Sequence, residues 1–252
     1  MGERKHKPFI AMNRIINSQN NSDKEEQKAS STVDRRSFLM SAGIAASVGA
    51  ALVACSKDHE PTPGAGTTVN LGSGDVGVLN YAYALEQLEA AFYIQVIDTP
   101  YAGMTAEEKT ILTDIRDHEI IHRDFFKTAL TAAAPSAIIP GLTPDFSTID
   151  FSSKTSVLGH AKIFEDTGVA AYNGAGNMIK TADYLVLAGK IVSVEARHAS
   201  VIRDLINKNS ADFAGDDVVD NNGFDQSLEP SAILSAVQKF IKNPINGANV
   251  GK

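Results

Sequence analysis

From residue 75 onward, apolar and polar positions alternate with the period of a helix. Leu79, Ala82, Glu86, Ala90, Tyr93 and Ile97 recur every three or four residues, and Asp75 stands where a capping residue would start the helix. A second stripe, Ile111, Ile115, Glu119, His122 and Phe126, predicts a helix over about 105–130, with Thr105-Ala106-Glu107-Glu108 as a capping box. Residues 132–153 hold three prolines and no stripe, so they read as a long connection. Leu158, Ala161, Glu165, Gly168 and Tyr172 then predict a helix over about 154–178. Leu187, Ile191, Glu195, His198, Ile202 and Leu205 predict another over about 182–207. An Asp- and Asn-rich loop and a short helix near 230–241 complete the chain.

The order is hairpin, long crossover, hairpin, and no run of period two suggests a strand. The expected fold is therefore an all-α four-helix bundle with one long crossover between its second and third helices and a short C-terminal helix. Residues 75–208 form the bundle, 209–252 the polar loop and last helix, and 56–74, rich in Pro, Gly, Thr and Ser, a flexible tether. Gly72-Ser73-Gly74-Asp75-Val76-Gly77 matches a dinucleotide-binding glycine fingerprint by letter, but it follows a tether rather than a strand and is rejected.

The stripes carry residues that an apolar core would exclude. Each helix places a glutamate on its inward face, Glu86, Glu119, Glu165 and Glu195, and two of them add a histidine three residues later, His122 and His198. Three residues along a helix return a side chain to nearly the same face, so each Glu-x-x-His pair can serve one metal. With 12 Glu and 6 His in the chain, about 0.3 such pairs are expected by chance. A third copy, Glu3 with His6, lies outside the helical region and carries no meaning.

The halves repeat. Tyr93 follows Glu86 by seven residues and Tyr172 follows Glu165 by seven, and each half ends in its Glu-x-x-His. Two such hairpins about a pseudo-two-fold axis would bring six ligands to one point. Four ionised carboxylates in one core would cost several kcal/mol each in lost hydration, and two divalent cations would cancel their charge. Oxygen and nitrogen ligands without sulfur suit iron or manganese.

Charge and the single cysteine change the picture at the N-terminus. Residues 1–54 hold eight Lys and Arg against five Asp and Glu, so the remaining residues carry a net charge of −10 of the chain's −7 total. So acidic a domain is a poor nucleic-acid binder. Arg35-Arg36-Ser37-Phe38-Leu39-Met40, an apolar run to Ala54, and Leu52-Val53-Ala54-Cys55 resemble a twin-arginine export signal ending in a lipobox. A short membrane anchor is the other reading, although the run is slightly short of the ~20 residues a span needs. Residues 1–55 are thus expected to be a lipoprotein signal with a long N-terminal extension. Cys55 would carry the lipid that anchors the protein to a membrane, on the periplasmic or outer-membrane and cell-surface side of a bacterium.

Leu85-Glu86-Gln87-Leu88-Glu89-Ala90-Ala91-Phe92-Tyr93 and Val194-Glu195-Ala196-Arg197-His198 resemble the ferritin-like superfamily, which includes bacterioferritins and rubrerythrins, and within it the exported desiccation- and stress-related proteins. The resemblance implies terminal metal ligands at Glu86 and Glu165, bridging ones at Glu119 and Glu195, and one histidine, His122 or His198, for each metal. It also implies that Tyr93 and Tyr172 hydrogen-bond ligand carboxylates. Many oxygen-activating relatives carry Asp just before the Glu of each Glu-x-x-His; this chain has His118 and Val194 there. Glu89 is an extra carboxylate, read either as a ligand or as a solvated rim residue. His118 reads as exposed or as a neighbour of a ligand, and His160 as a surface residue.

Two functions are open at this point. One is a redox-active protein holding two divalent ions, iron or manganese, and meeting dioxygen or peroxide; if it is an enzyme, it is an oxidase or peroxide-consuming oxidoreductase. The other is a lipid-anchored structural or stress-related bundle without catalysis. Iron storage fits a lipid-anchored chain poorly. A homodimer is one assembly open to the chain, and the sequence does not choose among oligomeric states.

Overall fold

The computed structural model describes residues 66–252; Cys55, the paired arginines and most of the expected tether lie outside the described residues. Four long helices dominate: α1 (Gly74–Asp98), α2 (Ala106–Ala133), α3 (Lys154–Gly176) and α4 (Ala182–Ile206), followed by the short α5 (Pro230–Val237). α1 lies along α2, and α3 along α4; the two hairpins meet mainly where α1 faces α3, with a lighter contact between α2 and α4. This is the bundle expected from the stripes.

The caps show which local signals decided the helix ends. Thr105 accepts a bond from the Glu108 backbone N–H at 3.1 Å, and the Glu108 carboxylate accepts from the Thr105 N–H at 2.9 Å, closing the expected capping box. Asp75 does not cap α1. Ser73 occupies that position, and the Asp75 carboxylate accepts from the Lys180 and Thr181 N–H groups at 2.8 and 2.9 Å, fixing the turn between α3 and α4. A carboxylate two residues inside the helix reaches the neighbouring turn more readily than its own helix end.

The tether does not run to residue 74. Val69 and Leu71 are buried, and β1 (Val69–Asn70) pairs in parallel with β2 (Ile245–Asn246). Apolar residues two apart in an extended segment point the same way, and here they enter the core. A very short strand therefore does precede the Gly72–Gly77 turn, yet the anion place at the start of α1 is filled. The Gly74 N–H donates to the Lys252 carbonyl at 2.8 Å, and a Cβ on Gly77 would stand 3.0 Å from the Gly72 backbone.

The crossover between α2 and α3 is held by polar side chains beneath it. Asn80, fully buried, donates to the Leu71 and Ala137 carbonyls and accepts from the Ile139 N–H, while Gln87 accepts from the Leu142 N–H at 2.8 Å. Phe146 and Phe151 of the crossover join Phe92, Phe164 and Phe240 in a cluster of mostly edge-on ring contacts. The polar loop after α4 is tied down by Arg203, whose buried guanidinium forms two-pronged bonds with Asp166 and Asp217. Its chain passes so close to α3 that a Cβ on Gly174 would lie 1.8 Å from the Leu228 carbonyl oxygen. Among the described residues no helix is long and apolar enough to cross a membrane.

Candidate metal centre

All six residues singled out by the stripes meet in the middle of the bundle. Glu86 comes from α1, Glu119 and His122 from α2, Glu165 from α3, and Glu195 and His198 from α4; the four glutamates are fully buried and the histidines nearly so. Their ligating atoms fall into two groups, each within 4.8 Å of one another: Glu86, Glu119, His122 and Glu195 in one, Glu119, Glu165, Glu195 and His198 in the other. Glu119 and Glu195 belong to both.

The geometry repeats across the pseudo-two-fold. His122 Nδ1 is 2.8 Å from Glu195 Oε1 and 3.6 Å from both Glu86 Oε2 and Glu119 Oε2. His198 Nδ1 is 2.8 Å from Glu119 Oε1, 3.5 Å from Glu165 Oε2 and 3.7 Å from Glu195 Oε2. Each bridging carboxylate therefore turns one oxygen toward each histidine. Despite these distances, both Nδ1 atoms, both oxygens of Glu119 and Glu195, Glu86 Oε2 and Glu165 Oε2 make no hydrogen bond. Buried polar atoms in proteins are nearly always hydrogen-bonded, so eight that meet only as close carboxylate–imidazole contacts form a cage into which cations would fit. Oxygen and imidazole donors of this kind fit divalent metal ions.

The remaining oxygens of the outer glutamates are held by the tyrosines, each from the opposite half. Tyr93 of α1 donates to Glu165 Oε1 at 2.5 Å, and Tyr172 of α3 donates to Glu86 Oε1. Burial, together with the carboxylates nearby, keeps both phenols protonated far above their usual range. Each tyrosine thereby leaves one oxygen of its glutamate free to face the centre.

The charges are strongly coupled. Burial pulls the His122 and His198 imidazoles down, but the surrounding glutamates outweigh it and hold both at about 12. Burial pushes Glu119 up, and the two imidazoles beside it override that, bringing it to about 2. Glu165 is pushed up to about 8 by burial, against the pull of His198, and burial with the neighbouring Glu195 raises Glu86 well above the carboxylate range. Protons thus do part of the work that cations would do in the same cage.

Glu89 is not a solvated rim residue. It is 4% exposed, raised far above its ordinary value by burial and by the glutamates around it, yet it belongs to neither group of ligating atoms. It fits because residue 168 is glycine: a Cβ there would stand 3.0 Å from Glu89 Oε1. His118 is exposed, and its Nδ1 lies 2.9 Å from His198 Nε2, so it is a neighbour of a candidate ligand. His160 is half-buried, bonding the Ser156 carbonyl through Nδ1 and standing edge-on to Phe240, rather than lying free on the surface. Sequence reasoning gave Arg203 and Gly174 no role, because their partners are some ten to fifty residues away along the chain.

A search among curated proteins finds no match. A family model described as a ferritin-like domain matches residues 74–208, which spans all four long helices and the whole cluster. With more than half of its length covered and its fold and buried carboxylate-histidine centre in agreement, the chain belongs to the ferritin-like domain family.

Proposed function

We propose that the protein holds two divalent metal ions, iron or manganese, and uses them against a small oxidant, dioxygen or peroxide, at a bacterial cell envelope to which it is tethered by lipid on Cys55. The observation that carries the metal reading is the set of eight buried donor atoms, converging without hydrogen bonds, in two groups that share Glu119 and Glu195. In this reading Glu86 and His122 serve one ion, Glu165 and His198 the other, and Glu119 and Glu195 both. A pair of such ions would supply reversible one-electron chemistry and Lewis acidity. The chain's own part is to orient carboxylates through Tyr93 and Tyr172, to keep bulk water out, and to carry protons on the cluster when cations are lacking. Export and lipidation rest on the sequence alone: Arg35-Arg36, the apolar run and Leu52-Val53-Ala54-Cys55.

Elemental analysis of the protein purified from its native envelope tests the core of this reading. About two iron or manganese atoms per chain are expected, lost in Glu119→Ala, together with consumption of dioxygen or peroxide by the loaded protein. A wild-type protein that binds neither metal and keeps its thermal midpoint in their presence sinks the proposal. A structural role without turnover is the second reading, favoured by Val194, which stands before Glu195 where many oxygen-activating relatives carry Asp. It predicts a midpoint that rises with metal while no oxidant is consumed.

A further inference from the structure

The pseudo-two-fold that relates the two halves fails at two places beside the centre. The residue before Glu119 is His118, whereas the residue before Glu195 is Val194. His118 Nδ1 sits 2.9 Å from His198 Nε2, with the two ring planes only 10° apart. His122 has no such bond: its ring meets the three glutamates through Nδ1 and the His198 ring at 6.3 Å, and Val194, half-buried, has no polar atom in its side chain. The surroundings differ as well. Behind Glu165, fully buried Tyr93 packs edge-on against Phe92, which in turn meets Phe146, Phe151 and Phe164. Behind Glu86, Tyr172 lines an apolar cavity of about 50 Å³, walled by Leu85 of α1, Phe125 and Phe126 of α2 and Leu187 of α4. Phe125 and Phe126 lie within one turn of His122.

The bond and the packing favour the same half. An imidazole that binds a metal through Nδ1 must carry its proton on Nε2, and a neighbour that accepts that proton fixes both tautomer and ring orientation. Among the described residues, only His198 has such a neighbour. A side chain that adjoins a cavity, as Tyr172 does, can also shift at less cost than one as fully buried as Tyr93.

Resting on the two-metal reading, we infer that the two positions are unequal: the one on Glu165 and His198 is the fixed, tightly held position, and the one on Glu86 and His122 is the exchangeable position, where metal is gained and lost and where a small uncharged ligand arrives from the apolar cavity. His118 is the positioning residue that creates the difference. It touches no metal and acts through His198.

Calorimetric titration of the full-length protein with manganese(II) tests this, alongside anomalous diffraction from crystals given one equivalent. Two separate binding steps are expected, with the one-equivalent signal on the Glu165 and His198 side. His118→Ala should weaken the first step by about 10–100-fold, the usual cost of removing a partner of a ligating histidine, and leave the second step in place. His118→Asp, which restores an acceptor, should recover the first step. Equal occupancy of both positions at one equivalent overturns the inference, as does a His118→Ala protein whose two steps are unchanged or equally weakened. Those results leave the two-metal reading standing, whereas absence of any manganese(II) or iron(II) binding removes both.

Discussion

Tyr93 and Tyr172 each hold one oxygen of a glutamate that belongs to the other half of the bundle, so each hydroxyl couples the halves as well as orienting a carboxylate. Tyr93→Phe removes the donor and keeps the ring in its place. The loss of a hydrogen bond to a charged group predicts about 1.5–3 kcal/mol of destabilisation in the metal-loaded protein and weaker metal binding, measurable by thermal melts and calorimetry. Glu89 gives the opposite sign. Its carboxyl is held well above its unfolded value, so at neutral pH it opposes folding; Glu89→Gln should raise the midpoint of the metal-free protein and leave its metal stoichiometry unchanged. A fall in stoichiometry would make Glu89 a ligand. The six central residues were legible because a glutamate or histidine on an otherwise apolar stripe conflicts with burial, and two conflicts three residues apart point one way. Glu89 was ambiguous because it stands beside the stripe rather than on it, and its burial depends on a glycine in another helix. The partner of His118 was illegible for the same kind of reason: His198 is 80 residues away.

At the scale of elements, the four helices were legible from their period and the α2 cap from its four letters, whereas both ends of the bundle depended on distant chain. Val69 and Leu71 enter the core only because β2 arrives to pair with their segment, and Asp75 gave up the cap because the α3–α4 turn offers it two N–H groups. The polar loop is fixed in a similar way, by Arg203 and by its passage over Gly174. The bond from the Leu228 N–H to the Ala170 carbonyl, at 3.1 Å, leaves no room for a side chain between them. Gly174→Ala should therefore cost about 1–3 kcal/mol or displace the loop from α3, seen as a lower denaturation midpoint and faster amide exchange over residues 210–229. An unchanged midpoint would show that the loop is not seated there. The apolar cavity lined by all four long helices belongs to this scale too. Being apolar, it should stay dry and admit xenon under pressure, while the cluster around Phe92 and Phe164 admits none.

Taken whole, the molecule buries an acidic centre that protons and cations must compete to neutralise, and the pH dependence of its stability follows. In the metal-free protein the two histidines sit at about 12 against 6.5 in the unfolded chain, so their stabilisation is complete below pH 6.5 and is lost as pH rises toward 12. Glu165, at about 8 against 4.5, binds more protons folded than unfolded, and its contribution falls as pH rises from 4.5 to 8; Glu86 acts in the same sense. Glu119 opposes them only in acid, since its stabilisation is present above pH 4.5 and is lost as pH falls toward 2. The metal-free fold should thus be most stable near pH 4.5–6 and weaken steadily toward pH 8. Cations reverse the trend, because they bind deprotonated carboxylates and neutral imidazoles, and their affinity grows as protons leave. The difference in Tm between manganese-loaded and metal-free protein should accordingly widen from pH 5.5 to pH 8, with protons released on binding in an amount that calorimetry in buffers of different ionisation heat can count. A difference that stays constant or narrows would mean that the central carboxylates and imidazoles are not where the metal binds, since no exposed acidic patch would link metal to this set of protons.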